Sequence, residues 1–86
     1  MYIVYVLFSS LKDSYYIGYT GDELSERVRK HNTNHRGFTG KTGDWTVVYQ
    51  ESFDNKQAAI NREKMVKGWK SRKLIEKLIG LKHPDW

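Results

Sequence analysis

Two short apolar runs, Met1–Phe8 (MYIVYVLF) and Ser14–Tyr19 (SYYIGY), stand one polar stretch apart, Ser9-Ser10-Leu11-Lys12-Asp13. Both are rich in β-branched and aromatic residues, the composition of a pleated, half-buried strand. With so little chain between them, the runs are predicted to pair as an antiparallel hairpin. A lone hairpin is marginal in water, so the rest of the chain has to supply a further strand or a helical layer.

The rest of the chain reads accordingly. Trp45–Phe53 (WTVVYQESF) is a third strand. Asp22–Asn34 reads as a helix, with Thr20 or Asp22 as its N-cap and Asp22 and Glu23 where the helix dipole favours negative charge. Leu24 and Val28 give that helix only a narrow apolar stripe, leaving its remaining surface to water or a ligand. Asp54 or Asn55 caps a second helix running to about Lys67. Ser71 caps a third, Arg72–Ile79, closed by Gly80. The segment His35–Asp44 (HRGFTGKTGD) has three glycines and no apolar period, and reads as a loop. The order is β-β-α-β-α-α: a small α+β domain, with a three-stranded antiparallel sheet flanked by helices. At 86 residues, without repeats or a linker, the expectation is one domain over 1–86.

Composition narrows the function. There is no cysteine, so disulfides and thiolate metal sites are excluded. Fifteen Lys and Arg against ten Asp and Glu give a net charge of +5, which suits a polyanionic partner. The run Met1–Phe8 lacks the leading positive charges of a signal peptide and is too short to span a bilayer. A soluble, cytoplasmic protein with no membrane contact is expected; monomer and homodimer both stay open.

Three features carry chemistry. Alternation places Ile3, Tyr5 and Leu7 on one side of the first strand, and Ser14, Tyr16 and Gly18 on one side of the second. A hairpin loop of Ser9–Lys12 would set Phe8 against Asp13 and Tyr5 directly opposite Tyr16. Two phenols beside a glycine are either a packing pair or the lining of an approachable face. On the first helix, Arg27 and His31 are four apart, so they stack beside the Leu24/Val28 stripe. They are either a solvated basic face, with Arg29 and Lys30, or a phosphate clamp beside a proton carrier. On the second helix, Ala59, Glu63 and Val66 fall at i, i+4 and i+7, which draws Glu63 toward the apolar stripe. Its partner is either a salt bridge to Lys67 or Arg27, or a hard cation such as Mg²⁺. Taken together, two phenols, an arginine, a histidine and a carboxylate suit metal-assisted phosphodiester hydrolysis.

The ordered motifs resemble those of the GIY-YIG nuclease superfamily. Ile3-Val4-Tyr5 precedes Tyr16-Ile17-Gly18, then Tyr19-Thr20, Asp22-x-Leu24-x-x-Arg27-x-x-x-His31-Asn32 and Ala59-x-x-Arg62-Glu63-Lys64-x-x-Lys67-x-Trp69. The likeness runs from Met1 to Trp86 and is nearest to the small standalone bacterial members labelled excinuclease-subunit-like. It implies a catalytic set of Tyr5, Tyr16, Arg27, His31 and Glu63. Tyr16 would help to activate the attacking water and Tyr5 would order the water shell. Arg27 would stabilise charge on the scissile phosphate, and Glu63 would hold one Mg²⁺ or Mn²⁺ ion. Two departures accompany the match. The first motif lacks its glycine, and no asparagine follows Asn61 where many superfamily nucleases carry one; His83, before Pro84, stands near that place.

Phosphate-contact candidates are Arg36 and Lys41 in the glycine-rich loop, beside His35, and Lys64, Lys67 and Lys70 on and after the second helix, with Arg72 and Lys73 nearby. No recognition helix or RNA-binding signature accompanies them, so sequence-specific cutting is not expected of this domain by itself. The leading expectation is a divalent-metal-dependent DNA endonuclease with little sequence specificity, acting on branched or damaged DNA. A DNA-binding module of the same fold with weak catalysis is the second. A structural protein joining a partner or a second copy through Trp45, Trp69 and Trp86 is the third.

Overall fold

The chain was analysed as a computed structural model, which describes residues 1–33, 37 and 39–82. Strands β1 (Tyr2–Ser9), β2 (Ser14–Thr20) and β3 (Thr46–Phe53) form one antiparallel sheet in the order β2-β1-β3. Helix α1 (Leu24–His31) follows β2, while α2 (Lys56–Gly68) and α3 (Arg72–Lys82) follow β3. The α+β class, the element order and the antiparallel sheet are those expected from the sequence.

The hairpin register differs from expectation by two residues. Ser9 pairs with Ser14, so the loop is Ser10–Asp13 and Tyr5 lies opposite Gly18, not Tyr16; Tyr16 faces Leu7. The cause lies at Ser9. Its buried hydroxyl donates to Asp44 Oδ1 at 2.6 Å and accepts from the Lys12 N–H at 3.1 Å, which holds Ser9 within the strand. Asp13 then closes the turn at φ +51, a conformation that aspartate tolerates. A two-residue shift preserves the face of every side chain, so Tyr5 and Tyr16 remain on one side as diagonal neighbours.

Strand β3 contains a bulge. Val6 pairs with Tyr49 but Leu7 pairs with Val47, leaving Val48 as the extra residue. The two faces of the sheet then differ. Val6, Ile17 and Tyr49 pack with Val66 of α2 and with Ile75, Leu78 and Ile79 of α3. Tyr5, Leu7 and Trp45 form a second cluster, covered by Ile3, Tyr16, Leu24 and Val28. Burying each such aliphatic side chain contributes about 1.5–3 kcal/mol, and these clusters are the main cohesion of a small fold.

Helix ends also depart from expectation. The N-cap of α1 is Glu23, without a side-chain cap bond, because the Thr20 hydroxyl accepts instead from the Asp22 N–H at 3.0 Å. The helix stops at His31 rather than Asn34. Asn32 leaves it to clamp Trp45, accepting from the Trp45 N–H at 2.7 Å and donating to the Trp45 carbonyl at 3.0 Å. Asn55 caps α2 through its side-chain oxygen, which accepts from the Ala58 N–H at 2.8 Å. The Ser71 hydroxyl accepts from the Leu74 N–H at 3.3 Å at the start of α3. That helix continues through Gly80 to Lys82 instead of ending there: Gly80 does not adopt positive φ, and buried Leu78 and Ile79 hold the last turns to the core. Among the described residues, no helix is long and apolar enough to cross a membrane.

Candidate active site

The diagonal tyrosine pair begins the site. Tyr5 is fully buried, and its ring centroid lies 6.5 Å from that of Tyr16. Gly18, opposite Tyr5, makes the arrangement possible. A Cβ built there would stand 2.6 Å from the Tyr5 hydroxyl and 3.1 Å from the Tyr16 ring. Any other residue would drive the Tyr5 phenol out of its place.

Helix α1 carries Arg27 and His31 to this pair because the two are one turn apart and Leu24 and Val28 anchor the adjacent stripe. His31 is buried at 8% exposure, deeper than its position beside a narrow stripe implied. Its Nε2 lies 3.0 Å from the Tyr5 hydroxyl and its Nδ1 2.9 Å from Thr39 Oγ1. Its ring also packs against Tyr16, with centroids 4.7 Å apart. Burial pushes the Tyr5 phenol above its ordinary value of 10.0, while the Arg27 guanidinium beside it pulls the other way. The net direction is upward, so at neutral pH Tyr5 is a protonated phenol. The cations do not win at this tyrosine.

Helix α2 supplies the carboxylate. Ala59 and Val66 bury one face of the helix, and Glu63 rides at its margin with a side chain only 15% exposed. Lys67 Nζ lies 3.6 Å from Glu63 Oε2 and also stands over the Tyr16 ring at 5.9 Å. The anticipated Glu63–Lys67 pair is therefore present. Arg62, adjacent in sequence, is turned to Glu51 on β3 at 2.8 Å.

These elements meet at an open groove of about 460 Å³. Its walls include Tyr5, Tyr16, Gly18, Arg27 and Glu63, four of the five residues of the expected set together with the motif glycine. His31 stands behind them and lines a neighbouring depression with Arg27, Lys30 and Thr33. Arg27 Nε is buried without a hydrogen-bond partner. An orphaned donor of this kind is costly unless a ligand uses it, and an anion is the ligand a guanidinium accepts.

The phosphate-contact candidates divide. Lys67 belongs at the groove through Glu63 and Tyr16. Lys41, Lys64 and Lys70 are exposed and do not line it. Arg36 and His83 lie outside the described residues, as does Trp86. Of the tryptophans expected at a partner surface, Trp45 is 1% exposed, with its Nε1–H donating to the Thr39 carbonyl at 3.0 Å, and Trp69 is half-buried against the core.

Three groove or second-layer residues escaped the sequence reading. Lys56 lines the groove and is seven residues before Glu63, so it shares the helix face; that spacing was available as a signal. Tyr2 lines it as well, packed on Gly21, where an added Cβ would stand 2.9 Å from the Tyr2 ring. Thr39 lies in the glycine-rich loop, where no periodicity marks it.

Among the described residues no three His, Cys, Asp or Glu side chains gather as a metal cage. A single groove-facing carboxylate does fit a hard divalent cation of the Mg²⁺ type, which takes one or two carboxylates and completes its shell with water and phosphate oxygens.

Comparison with known proteins agrees with this geometry. A family model described as the GIY-YIG catalytic domain matches residues 1–76. No curated protein matches the chain. Among solved structures, the solution NMR structure of the UPF0213 protein BH0048 from Bacillus halodurans is similar, at 32% sequence identity and a TM-score of 0.60. That match covers 95% of this chain and 86% of the other. With the motif strands, the arginine helix and the glutamate helix arranged around one groove, and with the family matched over most of its length, the chain belongs to the GIY-YIG family and has a nuclease-type fold.

Proposed function

We propose that the protein is a divalent-metal-dependent endonuclease that hydrolyses DNA phosphodiester bonds with little sequence specificity and acts on branched or damaged DNA. The observation that carries this reading is the groove itself. It presents one shielded carboxylate, an approachable phenol and a guanidinium whose buried Nε has no protein partner.

Each side chain has a task that its surroundings suit. Arg27 binds the scissile phosphate and offsets the charge that accumulates on it during displacement. Tyr16 borders the groove, with the Lys67 ammonium 5.9 Å from its ring, and as the approachable phenol it is the group suited to take a proton from the attacking water. Tyr5, buried and protonated, orders its neighbours. Glu63 would hold the Mg²⁺ or Mn²⁺ ion, which when bound supplies Lewis-acid polarisation of the phosphoryl group. Lys67 is half-exposed, and releasing its pair with Glu63 costs little. Lys56 on the groove wall, and Lys67 beside Glu63 and Tyr16, add positive charge for the flanking backbone.

The test is cleavage of supercoiled plasmid and of branched DNA, with Mg²⁺, with Mn²⁺ and with chelator, alongside a matched RNA. Metal-dependent nicking that is lost in Glu63→Ala and Tyr16→Phe is the expected result. Undiminished cutting by Glu63→Ala would overturn the mechanism, and DNA binding without cleavage under every metal condition would overturn the enzymatic reading.

A further inference from the structure

The glycine-rich loop reaches the site through one buried hydroxyl. Thr39 is 3% exposed, and its hydroxyl lies 2.9 Å from His31 Nδ1. Its backbone is fixed separately, because the Trp45 indole N–H donates to the Thr39 carbonyl at 3.0 Å. Trp45 is gripped in turn by Asn32, the residue after His31. A ring of contacts therefore runs from His31 to Thr39, to Trp45, to Asn32 and back along the chain to His31. A β-branched side chain on a fixed backbone has few rotamers, so the hydroxyl is presented in one direction.

The direction of the hydrogen bonds follows from what each group is able to donate. A guanidinium only donates, and the Arg27 guanidinium stands beside the Tyr5 phenol. Tyr5 is a protonated phenol, and in our assignment His31 Nε2, 3.0 Å away, accepts its proton. Nε2 is then the bare nitrogen, and a neutral imidazole carries its proton on Nδ1, facing the Thr39 oxygen.

We infer that Thr39 is a positioning residue: its hydroxyl holds His31 in the Nδ1-protonated tautomer and in one ring orientation, and through that ring it sets both Tyr5 and Tyr16. As a statement about catalysis this rests on the nuclease reading; as a statement about the imidazole it does not. Without the Thr39 acceptor, the ring is able to flip or change tautomer. Tyr5 then loses the acceptor for its proton, and the 4.7 Å packing of His31 on Tyr16 loosens.

The experiment is ¹⁵N NMR of the His31 ring in the wild-type protein, in Thr39→Ser and in Thr39→Val, paired with cleavage kinetics. The wild type and Thr39→Ser are expected to carry the proton on Nδ1 and to cleave comparably. Thr39→Val, similar in volume but without the hydroxyl, is expected to show mixed tautomers. Its kcat should fall by about 10- to 100-fold with KM little changed. A wild-type ring protonated on Nε2, or on both nitrogens at neutral pH, would overturn the assignment, as would an unchanged tautomer in Thr39→Val. If Thr39→Val does not fold, Thr39→Ala takes its place as the variant without the hydroxyl, and the wild-type spectrum still decides the tautomer. If the wild type cleaves nothing with any metal, the nuclease reading fails while the NMR result judges the Thr39–His31 assignment on its own.

Discussion

The two faces of the sheet are held by different physics. On one, Val6, Ile17, Val66, Ile75, Leu78 and Ile79 make an aliphatic layer with α2 and α3 in which shape and area decide everything. On the other, the rings of Tyr5, Tyr16 and Trp45 are threaded by directional contacts: Tyr5 to His31, His31 to Thr39, Trp45 to Thr39 and Asn32. An aliphatic layer tolerates exchange of similar volumes. A buried polar network does not, because one missing partner leaves another group unsatisfied at full desolvation cost. The difference teaches where stability and specificity reside. The first face keeps the fold together, while the second fixes the orientation of a few polar atoms.

The contrast is open to direct attack. Ile79→Ala on the aliphatic face should cost about 2–5 kcal/mol in chemical denaturation, while the folded fraction keeps its kcat. A change in kcat larger than the change in folded population would blur the distinction. Arg27→Met on the aromatic face should do the reverse. Cleavage should fall by about 10²- to 10³-fold, the usual loss for a charge-stabilising donor. Its melting temperature should hold or rise, since the variant removes a buried Nε that has no partner. A marked loss of stability would mean that the guanidinium is structural. Tyr5→Phe should touch both properties, lowering stability by about 0.5–1.5 kcal/mol through the lost Tyr5–His31 hydrogen bond and reducing cleavage as well.

The smallest effect concerns the hairpin loop on the aliphatic side, where Arg72 bonds Asp13 Oδ1 at 2.8 Å and holds its carboxyl below the ordinary 3.8. A carboxyl lowered by folding binds its proton more readily in the unfolded chain. The pair therefore stabilises above the ordinary carboxylate range, and its contribution is lost as pH falls through the folded value. Thermal melts of Asp13→Asn should show a slightly shallower acid limb than the wild type, and added salt should narrow the gap because the pair is exposed. An identical acid limb at low salt would remove Asp13 from the account.

Much of the fold was legible in the sequence because the information was local. Runs such as IVYVLF and TVVYQ announce strands by composition, and Asn55 and Ser71 announce helix starts by their side-chain oxygens. The residues that line the groove, Tyr5, Tyr16, Arg27 and Glu63, were also readable one element at a time. What escaped was set by distant partners. The hairpin register hangs on a Ser9–Asp44 bond between positions 35 apart, and the end of α1 hangs on the Asn32–Trp45 clamp. Thr39 gains its meaning only when the loop returns to the sheet, and nothing in the pattern GFTGKTGD marks its hydroxyl.

The bulge at Val48 carries a last consequence. In an unbroken strand Trp45, Val47 and Tyr49 would all point to one side. The extra residue advances the phase, so Tyr49 joins the aliphatic layer while Trp45 joins the aromatic one. The length of β3 thus behaves like the gearing between two shafts, and one tooth sets how the loop residues mesh with the sheet. Deleting Val48 removes little mass and no chemistry. It would also keep the Trp45 indole on its present face, since Val47 would then directly precede Tyr49 and plain alternation would do what the bulge does now.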